Sequence, residues 1–256
     1  MIAEMILRAF SKESRQPAET TLAQDPLRLL RTSYANLDAL VRGARVLDHG
    51  CGYGDQAAAL AGEYGAIVTG LETDPEHLAK ARMLHGNQVR FLDRLAPSDV
   101  FDVIVSQNAM EHYGDPAGVL SAMRHSLREG GRLLITFGPP WFAPYGHHMQ
   151  FFCKIPWLNL LFPESAVMKV RAQYRNDGAQ RYEEVQSGLN RMTLRKFERL
   201  VRGAGLDVVR QQYTGVRGWN FLTRIPVLRE LFTVHVTVEL RRGASVPAPV
   251  GALVGN

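Results

Sequence analysis

A short apolar run leads through Asp48 into glycines at three alternate positions, Gly50, Gly52 and Gly54. This pattern is typical of a strand that turns sharply onto a helix, where missing Cβ atoms let the backbone bend and a ligand approach closely. Dinucleotide sites instead use G-x-G-x-x-G and rest phosphate on a helix N-terminus. Here the spacing is G-x-G-x-G, and the Asp48 carboxylate would repel phosphate and attract a cation. The pattern therefore predicts a nucleotide-like ligand that carries positive charge.

A second acid, Glu72, ends an apolar run about twenty residues beyond the glycine loop. A carboxylate at that spacing can accept hydrogen bonds from the two hydroxyls of a ribose. The next residues also carry a helix start signal, with Asp74 as a cap and Pro75 at an early helical position. The two interpretations are compatible, because Asp74 can cap while Glu72 binds the ribose.

The loop from Asp48 to Gly54 reads D-H-G-C-G-Y-G. It resembles the first motif, D-x-G-C-G-x-G, of class I S-adenosylmethionine (SAM)-dependent methyltransferases. Segments 88–93, 101–112 and 127–136 resemble the third, fourth and fifth strands of that family in the same order. The resemblance implies a SAM cofactor, with the acid of the loop near the methionine end and the glycines beneath the cofactor.

The resemblance also implies which side chains surround SAM. It places Asp93, at the end of the third strand, against the adenine amino group. Arg94 follows where the family more often has a small or apolar residue, so a surface-loop aspartate is the alternative. The residues expected to bind the cofactor are Asp48, Gly50, Cys51, Gly52, Gly54, Glu72, Thr73, Asp93, Arg94, Gln107 and Asn108.

The least family-like segment follows the fifth strand, and we expect residues 138–190 to form a lid over the methyl acceptor. Its prolines forbid one long helix, and its aromatic residues would be costly to leave in water. His147 and His148 lie on this lid, and either could take a proton from an acceptor hydroxyl, with His148 preferred. The alternative is that these imidazoles only bond a carbonyl group in the turn.

Four further residues are predicted to contact the acceptor: Glu111, His112, Trp141 and Tyr145. Glu111 and His112 follow the fourth strand, and a carboxylate beside an imidazole could also bind a divalent metal. Helix capping and packing explain this pair more simply, so no metal site is expected.

These residues require a scaffold that brings several strand ends together. The predicted fold class is α/β: a three-layer Rossmann-like, seven-stranded, mostly parallel sheet with an antiparallel final strand, an N-terminal helix and a lid insertion after strand five. The predicted domains are an N-terminal helical cap (1–43), a methyltransferase domain (44–242, with the lid at 138–190) and a disordered tail (243–256). The doubled glycine at Gly130 is expected to end a helix, Thr193 to cap another, and Trp219–Phe232 to add to the lid or to a dimer face.

Composition sets the outer limits. A chain of 256 residues with 46% apolar content suits one substantial α/β domain. The formal net charge is +5, but the basic residues are scattered among acids, which disfavours nucleic acid as a substrate and leaves peripheral membrane contact and a homodimer open. Two cysteines and the lack of a secretion signal predict a cytoplasmic protein.

The sequence thus predicts an enzyme that transfers a methyl group from SAM to a small-molecule or carrier-linked acceptor, with a hydroxyl oxygen as the favoured target. Two alternatives share the cofactor: a non-catalytic SAM-binding regulatory module and an RNA methyltransferase. A nicotinamide oxidoreductase is disfavoured because the glycine spacing differs from the dinucleotide pattern.

Overall fold

A computed structural model describes residues 2–13, 25–185 and 188–243. Its centre is one seven-stranded sheet of order β3-β2-β1-β4-β5-β7-β6. The strands are β1 Arg45–His49, β2 Ile67–Leu71, β3 Arg90–Leu92, β4 Phe101–Gln107, β5 Leu127–Phe137, β6 Leu206–Gly215 and β7 Thr233–Arg242. The first five run parallel, and β7 is antiparallel to both β5 and β6. The predicted Rossmann-like fold is confirmed.

Ten α-helices connect and cover the strands within the described residues. They are α1 Ile2–Phe10, α2 Arg28–Ser33, α3 Leu37–Val41, α4 Asp55–Tyr64, α5 Pro75–His85, α6 Pro116–Ser126, α7 Leu158–Leu161, α8 Glu164–Arg171, α9 Leu194–Gly203 and α10 Pro226–Phe232. None of the helices in this described part is long and apolar enough to cross a membrane.

Local signals set several helix boundaries. The Asp74 carboxylate accepts the first free N–H groups of α5, and the Thr193 hydroxyl accepts the Lys196 N–H of α9, so both predicted caps are confirmed. The expectation for Gly130 was wrong: α6 ends earlier, at Ser126, and Gly130 lies inside β5 with a φ of 75°. The pairing of β4 with β5 shifts register there, which explains why left-handed backbone occurs within a strand.

Each face of the sheet buries its own apolar cluster, because successive strand residues point to opposite sides. Leu47, Ile104 and Ile135 belong to the cluster covered by α6 and α9. Val46 and Val105 belong to the opposite cluster, which also contains residues of α2 to α5. Because of this alternation, each side chain near a strand end points toward one of these two clusters.

The described helices of the predicted N-terminal cap (1–43) pack in two places. Helix α1 packs against α8, which lies in the segment predicted to form a lid (138–190), where Leu7 joins the apolar core of that segment and Glu4 pairs with Lys169. Helices α2 and α3 pack on the sheet, and the buried Tyr34 hydroxyl donates toward the carbonyl oxygens of Ile135 and Val238. Most of the predicted disordered tail, residues 244–256, lies outside the described residues.

Candidate active site

The three loop glycines meet three different surroundings. A Cβ atom on Gly54 would lie 2.6 Å from the Phe91 ring, and one on Gly50 would lie 3.2 Å from the Tyr113 hydroxyl. A Cβ on Gly52 would meet nothing within 4 Å. The sequence predicts that these glycines let the backbone bend and a ligand approach, and φ is positive at all three, at 77°, 54° and 85°. Tyr113 and Phe91 fill the space where Gly50 and Gly54 lack a Cβ atom, and Gly52 faces open space.

Asp48 lies one residue before the end of β1 and has an incomplete hydrogen-bonding environment. Its side chain is buried, its Oδ1 accepts a 2.8 Å hydrogen bond from Gln56 Nε2, and its Oδ2 has no partner among the described residues. Burial raises the Asp48 pKa to about 7, with a smaller upward contribution from the Glu72 charge, while the Gln56 bond acts in the opposite direction. An ammonium group at Oδ2 would relieve this burial cost.

Gln56 was not predicted from the sequence. It lies in the first turn of α4, just past the glycine loop, so the sharp strand-to-helix turn brings it back over the end of β1. No fixed spacing rule connects it with Asp48, and only the loop geometry reveals the contact.

Glu72 ties the glycine loop to the start of the next helix. Its Oε2 accepts the Gly52 N–H and its Oε1 accepts the Asp74 N–H, each at 2.9 Å. The carboxylate is half-buried and, since each oxygen has two lone pairs, it can still accept hydroxyl groups. Thr73 next to it is exposed.

Four of the remaining predicted cofactor residues, Asp93, Arg94, Gln107 and Asn108, lie at the carboxyl ends of β3 and β4. Asp93 and Arg94 are exposed and form an ion pair with 3.6 Å between Oδ1 and Nε. Gln107 is the last residue of β4, and its buried Nε2 has no partner in the described part of the chain. Asn108 follows in left-handed conformation, with φ 47°, and its N–H donates to the Thr136 carbonyl at 2.8 Å. Cys51 is half-buried in the loop, and burial raises the pKa of its thiol.

Behind the loop lies a hydrogen-bonded group that the sequence did not indicate. The Tyr113 hydroxyl lies 2.8 Å from His49 Nδ1 and 2.9 Å from Ser106 Oγ. Burial lowers the His49 pKa to about 4, so its imidazole is neutral. The group fixes the end of β1 to the end of β4, and thereby supports Gly50 from below.

On the lid side, Glu111 is buried and holds the start of the lid. Its Oε1 accepts the Gly138 N–H at 3.0 Å, and its Oε2 has no partner among the described residues. Burial raises the pKa of this carboxyl. His112 Nδ1 lies 2.8 Å from the Gly188 carbonyl, and its ring meets the edge of the His148 ring at 5.4 Å. These two residues therefore join the beginning and the end of the lid.

The two lid histidines have different environments. His147 is fully buried, and its Nδ1 accepts the Met149 N–H at 2.9 Å, a contact with an N–H group and not with a carbonyl group. His148 is half-buried, with Nε2 3.4 Å from the Pro139 carbonyl oxygen. Burial is the main cause that lowers the pKa of each to about 4, so both are neutral near pH 7.

The predicted acceptor aromatics pack within the lid. The Trp141 ring meets the Tyr182 ring edge-on at 4.8 Å and lies 5.5 Å from the Arg191 guanidinium carbon. The ring centroids of Tyr145 and His147 are 6.1 Å apart, and Tyr145 is half-buried. Glu111, Trp141 and His148 line a gap too narrow to admit a water molecule. Among the residues that the structure describes, no cluster of three or more histidine, cysteine, aspartate or glutamate side chains could hold a metal ion.

Comparison with known proteins agrees with this geometry. Over 130 aligned residues the chain is 38% identical to the ubiquinone biosynthesis O-methyltransferase of Xylella fastidiosa, covering 47% of this chain and 51% of the relative. The chain thus spans about half the length of such curated relatives. A methyltransferase of Mycobacteroides abscessus is 28% identical over 250 residues, covering 92% of each chain.

Solved structures share the fold at low identity. A SAM-dependent methyltransferase from Mesorhizobium loti has a TM-score of 0.53 at 19% identity, covering 82% of this chain and 99% of its own. The [4+2]-cyclase SpnF has a TM-score of 0.54 at 16% identity, covering 85% of this chain and 80% of its own. The family model described as a methyltransferase domain matches residues 19–211. The chain therefore belongs to the methyltransferase domain family, and its sheet has the Rossmann-like methyltransferase fold.

Proposed function

We propose that this enzyme transfers the methyl group of SAM to a hydroxyl oxygen of a small-molecule or carrier-linked acceptor. The observation that carries the proposal is the position of the His148 imidazole, which meets the His112 ring and lines one gap with Glu111, just beyond the end of β4. The similarity of half the chain to ubiquinone biosynthesis O-methyltransferases supports an oxygen target.

The residues at the strand ends fit SAM. Asp48 Oδ2, buried and without a partner among the described residues, would accept the ammonium group of the methionine end. Glu72 would accept the ribose hydroxyls, and Asp93 the adenine amino group. Gly52, open on its Cα side, would let the cofactor rest on the loop, flanked by Thr73, Arg94, Gln107 and Asn108.

Bound SAM supplies an electrophilic methyl group on a sulfonium, and the chain supplies position and a proton acceptor. In-line displacement depends on holding the hydroxyl oxygen and the methyl carbon near contact distance. His148 would accept the hydroxyl proton as the oxygen forms its bond to the methyl carbon and the carbon–sulfur bond breaks. Its Nε2 faces the Pro139 carbonyl, so Nδ1 is the nitrogen available for that proton.

The gap between His148 and Glu111 is too narrow for a water molecule, so an acceptor that enters on this side would require the lid to shift. We therefore propose residues 138–190 as a moving lid within a methyltransferase domain of residues 44–242. The Glu111 bond to Gly138 fixes the hinge end of this lid, and His112 fixes its far end through Gly188.

The test compares His148→Gln with His147→Gln. We expect His148→Gln to lower kcat by about 100-fold while the calorimetric Kd for SAM stays unchanged. His147→Gln should lower the melting temperature, because it disturbs the buried Met149 contact, with a smaller effect on kcat. Formation of S-adenosylhomocysteine is measured with phenols, quinols and sugar nucleotides as acceptors. Unchanged turnover in His148→Gln would refute the base role, and SAM binding without product from any acceptor would favour the non-catalytic alternative.

A further inference from the structure

The segment between β6 and β7 presents apolar side chains to solvent and buries a polar one. Its exposed apolar residues are Trp219, Phe221, Ile225 and Val227, with exposed fractions of 48%, 62%, 48% and 69%. Thr223 in their midst is 6% exposed and donates to the Asn220 carbonyl. Exposed apolar patches of this kind mark interaction sites, because contact with a partner removes their apolar surface from water.

Local hydrogen bonds hold the segment in this arrangement. The Asn220 side chain accepts the Gly215 N–H at 2.8 Å, and Arg229 Nε donates to the Thr223 carbonyl at 2.7 Å. Pro226 starts helix α10, so it limits the preceding turn rather than interrupting a longer helix. The outward aromatic and aliphatic side chains therefore belong to a defined structure, which we call the β6–β7 insert (residues 216–232).

The exposed charged side chains of the insert are all positive. Arg217 and Arg224 are exposed and have no ion-pair partner in the described part of the chain. The insert contains one acid, Glu230, and its carboxylate accepts the backbone N–H groups of Leu194 and Arg195 at the start of α9. A tryptophan and a phenylalanine beside uncompensated arginines are typical of a surface that enters an anionic lipid interface.

The insert lies at the end of the sheet where the parallel strands finish, which is the end that carries the candidate active site. Strand β7 begins directly after it, and Val236 near that start pairs with Phe137, the last residue of β5. Its final residue, Phe232, meets the lid residue Trp157 with ring centroids 5.9 Å apart, and the adjoining α7 exposes Leu161. The apolar surface thus flanks the lid.

We propose that the β6–β7 insert docks on an anionic membrane surface, with Trp219 and Phe221 entering the headgroup region and Arg217 and Arg224 contacting lipid phosphates. A second copy of the chain is a poorer occupant. A two-fold interface would bring the same arginines of both copies together, and the insert's one acid, Glu230, already holds the N-terminus of α9.

The test measures co-sedimentation of the full chain with vesicles of phosphatidylcholine containing about 30% phosphatidylglycerol, against vesicles of phosphatidylcholine alone. Trp219→Ser/Phe221→Ser should weaken binding at least about tenfold. Arg217→Gln/Arg224→Gln should weaken binding roughly fivefold per arginine on the anionic vesicles only, and added salt should do the same. The matched control is Met83→Ser/Leu84→Ser on α5, where the exposed fractions are 75% and 46%, and it should bind like wild type.

An unchanged calorimetric Kd for SAM in every variant shows that the fold and the cofactor site are intact, so the result is independent of which acceptor is methylated. Equal vesicle binding of Trp219→Ser/Phe221→Ser and wild type would overturn the proposal, as would an equal loss in the control. Concentration-dependent dimers that Trp219→Ser dissociates, without vesicle binding, would show that a second copy covers the insert and would also overturn it.

Discussion

Replacing Asp48 by asparagine should make the SAM-free protein more stable and destroy cofactor binding. The side chain is buried, and its pKa rises from 3.8, the value expected in an unfolded chain, to about 7. A raised carboxyl pKa means that the folded state favours the protonated form. Stability from this group is therefore fully present below pH 3.8 and is lost as pH rises toward 7.

The size of the effect follows from linkage at about 1.4 kcal/mol per pKa unit. Relative to low pH, the raised pKa of Asp48 increases the unfolding free energy of a chain without the charge over that of wild type by about 4 kcal/mol at pH 8, where folded Asp48 is ionised, and by about 2 kcal/mol at pH 5, where folding requires proton uptake. Asparagine carries no charge and can still meet Gln56. The gain in unfolding free energy from Asp48→Asn should thus be about 2–3 kcal/mol larger at pH 8 than at pH 5.

Urea denaturation at the two pH values, with and without SAM, measures this gain. Asp74→Asn is the control: Asp74 is an exposed helix cap whose pKa is lowered by the His77 and Glu76 N–H groups, so it should show no gain at high pH. At pH 8, added SAM should stabilise wild type but not Asp48→Asn. The reasoning fails if the gain from Asp48→Asn is the same at both pH values, or if the variant binds SAM like wild type.

Two further predictions rest on the same loop. The Kd of wild type for SAM should rise about tenfold for each pH unit below 7, because the ammonium group needs ionised Asp48; calorimetry at several pH values measures it, and a flat profile would contradict the assignment. Gly54→Ala should lower the unfolding free energy by about 2–3 kcal/mol, because the added Cβ meets the Phe91 ring at 2.6 Å and φ is positive. Gly52→Ala, with open space around it, should cost only about 1 kcal/mol of stability while weakening SAM binding, and equal stability losses in the two variants would refute the distinction.

The sheet was predictable because its signals are local. Apolar runs of strand length, each followed by an acid or a glycine turn, occur in family order, and parallel strands joined by helices admit few topologies. Gly130 shows where local signals fail. A glycine supplies left-handed backbone wherever it is needed, and pairing between β4 and β5 placed that need inside a strand rather than at the end of α6.

The sequence indicated the acidic residues of the candidate site but not the side chains that surround them. Asp48 and Glu72 stand at strand ends that the sequence indicates. Gln56 and Tyr113 act through contacts made by a turn and by strand order, with no periodic spacing to reveal them. The lid is harder still, because adjacent histidines point in different directions: His147 into the lid core and His148 toward Pro139.

Two buried carboxyls, Asp48 and Glu111, each leave one oxygen without a partner among the described residues, and they belong to different ligand events. Asp48 follows Val46 by two residues and so lies on the sheet face of α2 to α5, whereas Glu111 holds the lid through Gly138. A buried polar atom without a partner lowers stability, and proteins retain such an atom where a bound ligand supplies the missing partner. We expect SAM to relieve Asp48 Oδ2 at the glycine loop and an acceptor to relieve Glu111 Oε2 beside the lid, so the two ligands would act on separate carboxyl groups.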